Sequence, residues 1–164
     1  WGHDISPEEN QYQSGLDFTI NFKKQVDFQP KKSLHEMTLV ISKNHKEKTL
    51  ENLINKIGFR KVTLMGSIGC KIASIIRGEC DIYISLSLPG KSSPKDWDFA
   101  APETILRGAG GSITNLENEE LSYGKENFKQ EGVIIASNNK HKHKSLCLQI
   151  KQIIKKYDLF PFYT

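Results

Sequence analysis

The chemistry of this chain centres on Lys95-Asp96-Trp97-Asp98-Phe99-Ala100-Ala101-Pro102-Glu103-Thr104-Ile105-Leu106-Arg107-Gly108-Ala109-Gly110-Gly111. Ala100 and Ala101 favour helix, and Ile105 and Leu106 supply an apolar side. Pro102 is tolerated in a first turn whose amides lack partners, and Gly110-Gly111 ends the helix. Asp98 then stands at a helix N-terminus with its carboxylate free to point outward; as a bare aspartate it reads as an N-cap. Asp96 reads as a solvated neighbour and Glu103 as a residue of the helix surface. Upstream, Gly66-Ser67 makes a tight turn into a helix, where backbone amides can grip a phosphate oxygen. Lys71 lies about one turn into that helix. A cation beside the positive end of a helix dipole makes physical sense if an anion binds there. Ser42 and His45 follow a short apolar run; on residue type alone they are a capping serine and an exposed histidine. Asp81 reads as a structural carboxylate at a strand edge. His3 and Asp4 have no metal-ligand spacing around them.

The elements that must position these residues follow from periodicity. Asp17 to Phe22 alternates polar and apolar, as a half-buried strand does, and Lys23 to Ser33 is a basic connector containing Pro30. Met37 to Ile41 reads as a buried strand. From His45 to Ile57 the spacing of Leu50, Leu53, Ile54 and Ile57 marks a helix stopped by Gly58. Lys61 to Met65 is a strand, followed by a helix with Ile68, Ile72, Ile75 and Ile76 inward. Asp81 to Leu86 is the next strand, and residues 89–94 form a Gly/Ser/Pro loop. Ser112 to Asn115 and Val133 to Ala136 read as strands, with a charged surface loop at 117–131 between them. Asn138-Asn139 caps a last helix with Leu146, Ile150, Ile153, Ile154 and Tyr157 on one face. Strands alternating with helices predict an α/β fold, a layered mixed β-sheet flanked by helices. Ligands gather at the carboxyl ends of strands in such sheets, and Ser42/His45, Gly66/Ser67 and Asp98 all fall at strand-to-helix junctions. They are expected to converge on one crevice.

Trp-Asp-x-Ala-Ala-Pro-Glu-x-Ile-Leu followed by Ala-Gly-Gly resembles the second signature of the inositol monophosphatase superfamily of magnesium-dependent phosphatases. Gly66-Ser67-Ile68-Gly69-Cys70-Lys71 and Gly78-Glu79-Cys80-Asp81-Ile82-Tyr83 extend the resemblance over roughly residues 37 to 138, far more than one short motif. The resemblance identifies the fold as the C-terminal domain of the sugar-phosphatase-like fold. Residues 1–36 are then a polar start and connecting strand, the tail of an N-terminal domain, and 37–164 the C-terminal α/β phosphatase domain. The resemblance also implies that Asp98 is a ligand of catalytic Mg2+. Ser42-Lys43-Asn44-His45 resembles the Ser-x-x-His with which the 3'(2'),5'-bisphosphate nucleotidase branch holds its adenine nucleotide. Lys71 matches a lysine that faces the substrate phosphate in that branch. The implied substrate-binding set is Ser42, His45, Gly66, Ser67 and Lys71. The implied partner is a phosphorylated nucleotide or sugar. The implied reaction removes the 3'-phosphate of 3'-phosphoadenosine 5'-phosphate to give AMP, in sulfur assimilation.

Two features depart from the family pattern. Inositol monophosphatases have a glutamate at position 85 and some nucleotidases an arginine; this chain has Ser85. The family also takes metal ligands and its water-activating residues from an earlier Glu-Glu pair and an Asp-Pro-x-Asp-Gly-Thr signature. The latter does not occur in this chain, and its residues do not identify the catalytic groups. The chain is expected to be a fragment of a longer phosphatase and inactive alone. A companion chain carrying the other half, a nucleotide-binding module without catalysis, and an inositol- or sugar-phosphate phosphatase of the same superfamily are the alternatives.

The totals agree with a soluble enzyme domain. A chain of 164 residues, 37% hydrophobic and 26% charged, can bury a core without staples. A net charge of +4 suits small anions and argues for no nucleic acid. No run approaches a membrane span, and no membrane partner is expected. Cys70, Cys80 and Cys147 form neither a disulfide framework nor a zinc pattern; as buried free thiols they fit a cytoplasmic protein. A homodimer is compatible with the composition.

Overall fold

The structure is a computed structural model, and it describes residues 32–43 and 47–160. His3, Asp4, the strand expected at 17–22, His45 and the tail beyond Phe160 lie outside the described residues. A 3-10 turn at Leu34–Glu36 precedes β1 (Thr38–Ser42), α1 (Lys48–Ile57), β2 (Lys61–Met65), α2 (Ile68–Ile76), β3 (Ile82–Ser87), α3 (Asp96–Gly108), β4 (Ser112–Asn115), β5 (Gly132–Ser137) and α4 (Lys140–Lys156). The strands form one mixed sheet in the order β2-β1-β3-β5-β4. β1 runs parallel to β2 and β3, and β5 runs antiparallel to β3 and β4. The expected layered α/β fold is therefore present.

Alternation along the strands divides the core between the two faces of the sheet. Leu39, Ile82, Ile84, Leu86, Val133 and Ile135 pack with Leu50, Leu53 and Ile57 of α1 and with Leu146, Cys147, Ile150 and Ile154 of α4. Val40, Tyr83, Ile134 and Ala136 pack with Ile72 and Ile75 of α2 and with Phe99 and Leu106 of α3. The result is three layers, with α1 and α4 on one side and α2 and α3 on the other. Asp81 is structural, as expected: it accepts from the Thr38 amide at 2.8 Å and Lys32 Nζ at 2.7 Å. Gly58 ends α1 in the left-handed region at φ 69°, its amide bonded to the Ile54 carbonyl at 2.9 Å. Among the described residues no helix is long and apolar enough to cross a membrane.

Several sequence expectations need correction. Ile105 is 61% exposed, because α3 turns Phe99, Glu103 and Leu106 inward instead. Tyr157 is an exposed residue after α4, with Lys56 Nζ 4.7 Å and Lys156 Nζ 5.3 Å from its ring centre. Cys80 and Cys147 are buried free thiols, but Cys70 is exposed in the first turn of α2. The first helix begins at Lys48, three residues after His45.

The turn from α3 into β4 is closed by Gly111, whose amide bonds to the Leu106 carbonyl at 2.9 Å. A Cβ there would lie 2.5 Å from Leu106 Cδ1 and 2.6 Å from the Ser137 carbonyl oxygen. The second contact is with backbone of β5 and cannot relax by a rotamer change. Gly111→Ala is therefore expected to cost about 1–3 kcal/mol, measured by urea unfolding; a variant as stable as the parent would show that this junction yields.

Candidate active site

The carboxyl ends of β1, β2 and β3 lie on one edge of the sheet, and the segments leaving them enclose a crevice of about 410 Å³. Ser42, Gly66, Ser67, Ile68, Lys71, Ser92, Ser93, Pro94 and Asp98 line it. Five of the six residues singled out in the sequence thus share one cavity. The sixth, His45, is outside the described residues. Ser92, Ser93 and Pro94 were not anticipated, since a Gly/Ser/Pro loop has no pattern that says which serine meets a cavity.

Ser67 is the N-cap of α2 in extended conformation, and no helix amide bonds to its hydroxyl. The first amides of α2 have no carbonyl partner within the helix, so they present donors to the crevice wall. A Cβ built at Gly66 would meet nothing within 4 Å; no protein packing requires this glycine, and its bare backbone leaves the crevice open. Lys71 is 1% exposed, and its ammonium donates to the Gly66 carbonyl at 2.9 Å. That is its one side-chain hydrogen bond among the described residues, and an ammonium has three protons to place. Its nitrogen also lies 5.5 Å from the centre of the Tyr83 ring. Burial holds the Lys71 pKa below the ordinary lysine value, opposed by the nearby Cys70 and Asp98. A cation in this state gains from any anion that enters.

Asp98, also lining the crevice, is exposed in the first turn of α3. It is not the N-cap expected from a bare aspartate: Lys95 takes that position, and Asp98, three residues on, accepts from the Lys95 amide through Oδ2 at 2.8 Å. Among the described residues no hydrogen-bond donor engages Oδ1. The two other carboxylates of α3 are buried and bonded, contrary to expectation. Asp96 accepts from the Gly124 amide at 2.7 Å and Gln130 Nε2 at 2.6 Å. Glu103 bonds Arg107 Nε at 2.7 Å and the Tyr123 hydroxyl. Ser85 Oγ is buried with no hydrogen-bond partner among the described residues.

Magnesium takes six oxygens in near-octahedral arrangement. The described residues contain no group of three or more His, Cys, Asp or Glu side chains able to hold a metal. Asp98 supplies a single carboxylate, which does not by itself make a magnesium site. What these residues can do unaided is receive an anion: helix amides, serine hydroxyls and a buried ammonium face one cavity.

A mixed sheet with helices on both faces and a crevice at the carboxyl ends of its parallel strands defines a layered α/β class of domain. The sequence profile of the inositol monophosphatase family matches residues 9–155; the chain belongs to this family. It is 32% identical over 103 residues to 3'(2'),5'-bisphosphate nucleotidase 1 of Rattus norvegicus, covering 62% of this chain and 32% of that protein. It is 29% identical over 143 residues to the 3'(2'),5'-bisphosphate nucleotidase of Dictyostelium discoideum, covering 87% and 42%. The chain thus spans less than half the length of these relatives. Among solved structures, SaIMPase-II with inositol monophosphate bound superposes with TM-score 0.58 at 21% identity, covering 79% of this chain and 46% of that one. That likeness carries the fold.

Proposed function

We propose that the crevice holds the phosphorylated substrate of a magnesium-dependent 3'(2'),5'-bisphosphate nucleotidase, which hydrolyses the 3'-phosphate of 3'-phosphoadenosine 5'-phosphate to AMP. The observation that carries this reading is the meeting of Ser42, Gly66, Ser67, Lys71 and Asp98 in one cavity at the strand ends. The nucleotidase relatives support the choice of substrate. The turn at Gly66–Ser67 and the first amides of α2 take phosphate oxygens, and Lys71 neutralises their charge. Ser42 and His45 hold the nucleoside. Asp98 gives one carboxylate to a metal whose other ligands come from beyond the described residues. Bound magnesium would supply charge neutralisation and an activated water in the whole phosphatase. This chain alone then binds substrate without turning it over.

Calorimetric titration of the purified chain tests this. The bisphosphate nucleotide is expected to bind at least about tenfold more tightly than inositol 1-phosphate, since each charge-assisted contact contributes about 1.5–3 kcal/mol. Asp98→Ala takes away the acceptor of the Lys95 amide, so it is expected to weaken that binding severalfold without metal and to remove any increment that magnesium adds. Tighter binding of inositol 1-phosphate would favour the inositol phosphatase alternative. Magnesium-dependent phosphate release by residues 1–164 would overturn the claim that the chain lacks turnover.

A further inference from the structure

The segment 121–130 folds back across the first turn of α3, and a set of hydrogen bonds around the buried Asp96 and Gln130 holds it there. The Asp96 carboxylate lies at the centre of them. Its Oδ1 accepts from Gln130 Nε2 at 2.6 Å and its Oδ2 from the Gly124 amide at 2.7 Å. Its own amide donates to the Phe128 carbonyl at 2.9 Å. Gln130, itself buried, sends its backbone amide to the Pro94 carbonyl at 2.9 Å and its side chain to the Ser122 carbonyl at 2.8 Å. Lys95 pairs with Lys129 in an isolated antiparallel bridge, and its ammonium reaches the Asn127 carbonyl at 2.8 Å.

Phe128 sits at φ 54°, in the left-handed region that bulky side chains avoid. Such a conformation persists when its surroundings over-determine it. The bond from Asp96 and the Trp97 ring, 5.9 Å away between centres, do so here.

We propose that Asp96 is a positioning residue for the crevice. Pro94 forms one wall, and Lys95 is the residue whose amide orients Asp98. Both are fixed by the returning segment, and that segment is fixed by Asp96. The carboxylate touches no ligand; it holds the backbone on either side of Asp98 in one place. A carboxylate suits the task because it accepts two bonds at once and donates none. Asparagine at this position can keep the Gly124 bond, but it sets an amide NH2 against the NH2 of Gln130.

Amide hydrogen exchange on the full chain tests this without any ligand. In Asp96→Asn, exchange at Lys95, Gly124 and Gln130 is expected to rise by about tenfold, as one or more charge-assisted bonds are lost. Amides of Ile84 and Ile135, in the middle of the sheet, should exchange as before. Titration with inorganic phosphate should show affinity reduced by about tenfold, as for other supports of binding groups. Asp96→Asn with Gln130→Glu restores the donor–acceptor pair between the two side chains but gives up the bond to the Ser122 carbonyl, so it should recover part of the Lys95 protection and of the phosphate affinity. Unchanged exchange at Lys95 would overturn the proposal, as would an equal rise throughout the sheet. The inference rests on the crevice being an anion site. A parent chain that binds no phosphate would count against that reading, and the Lys95 amide would still decide the role of Asp96.

Discussion

Lys71→Met will lose phosphate binding and leave the fold at least as stable as the parent. The ammonium is almost wholly removed from water and has one carbonyl partner, Gly66, within hydrogen-bond distance. Desolvating a charge costs several kcal/mol, and one neutral acceptor does not offset it. Methionine fills nearly the same volume without a charge, and the Gly66 carbonyl it frees belongs to an exposed turn. Stability to urea should therefore be unchanged or higher by about 1 kcal/mol, while phosphate affinity should fall by roughly 10- to 100-fold. The pH dependence gives a second check. Lys71 has its folded pKa pulled below the ordinary 10.5, so between the two values the unfolded chain binds the extra proton. Stability then rises with pH through that window, and the methionine variant should lack the rise. A strongly destabilised variant with intact phosphate affinity would make Lys71 a structural residue.

The placement of Lys71 was legible because the chemistry sits at junctions. A strand, a glycine-serine turn and a helix leave little choice about where Ser67 and Lys71 go. Ser42 at the end of β1 and Asp98 at the start of α3 share that property. Strand and helix identities were legible from local cues: the β-branched run Val40-Ile41, too short for a helix, favours a strand, and the spacing of Leu50, Leu53 and Ile57 marks one face of a helix. Contacts between distant segments left no local trace. Asp96 and Glu103, seven residues apart on one face of α3, look like solvated charges until residues 121–130 return to cover them. Ile105 looks like core until those carboxylates are seen to occupy the inward face beside Phe99 and Leu106. Ser93 looks like any loop serine until Gln130 draws Pro94 into the wall.

His143 was equally hidden, inside the polar run Lys140-His141-Lys142-His143-Lys144, and it leads to the largest expected effect of pH. Its ring is 1% exposed, with Nε2 2.8 Å from Thr114 Oγ1 and Nδ1 2.8 Å from Ser137 Oγ. Thr114 donates its hydroxyl proton to the Asn115 carbonyl at 2.8 Å, so its oxygen accepts from Nε2–H. Nδ1 then accepts from Ser137. The neutral ring is satisfied at both nitrogens, and a second proton would oppose the Ser137 donor in a buried site. Burial, with a smaller contribution from Arg107, lowers the His143 pKa from 6.5 to about 4. Between these values the unfolded chain carries the proton and the folded chain does not. Stability is therefore complete above 6.5, falls as pH drops towards 4, and changes no further below it. The full effect is about 3 kcal/mol, with about 2 kcal/mol gone by about pH 5, before most carboxylates titrate. Urea unfolding between about pH 7 and pH 5 measures it. His143→Leu should flatten this dependence while lowering stability at neutral pH by about 2 kcal/mol, because Ser137 is left buried without a partner. If parent and variant lose stability equally over that range, His143 takes up its proton in the folded chain, and the proton assignment given to Thr114 and Ser137 fails with it.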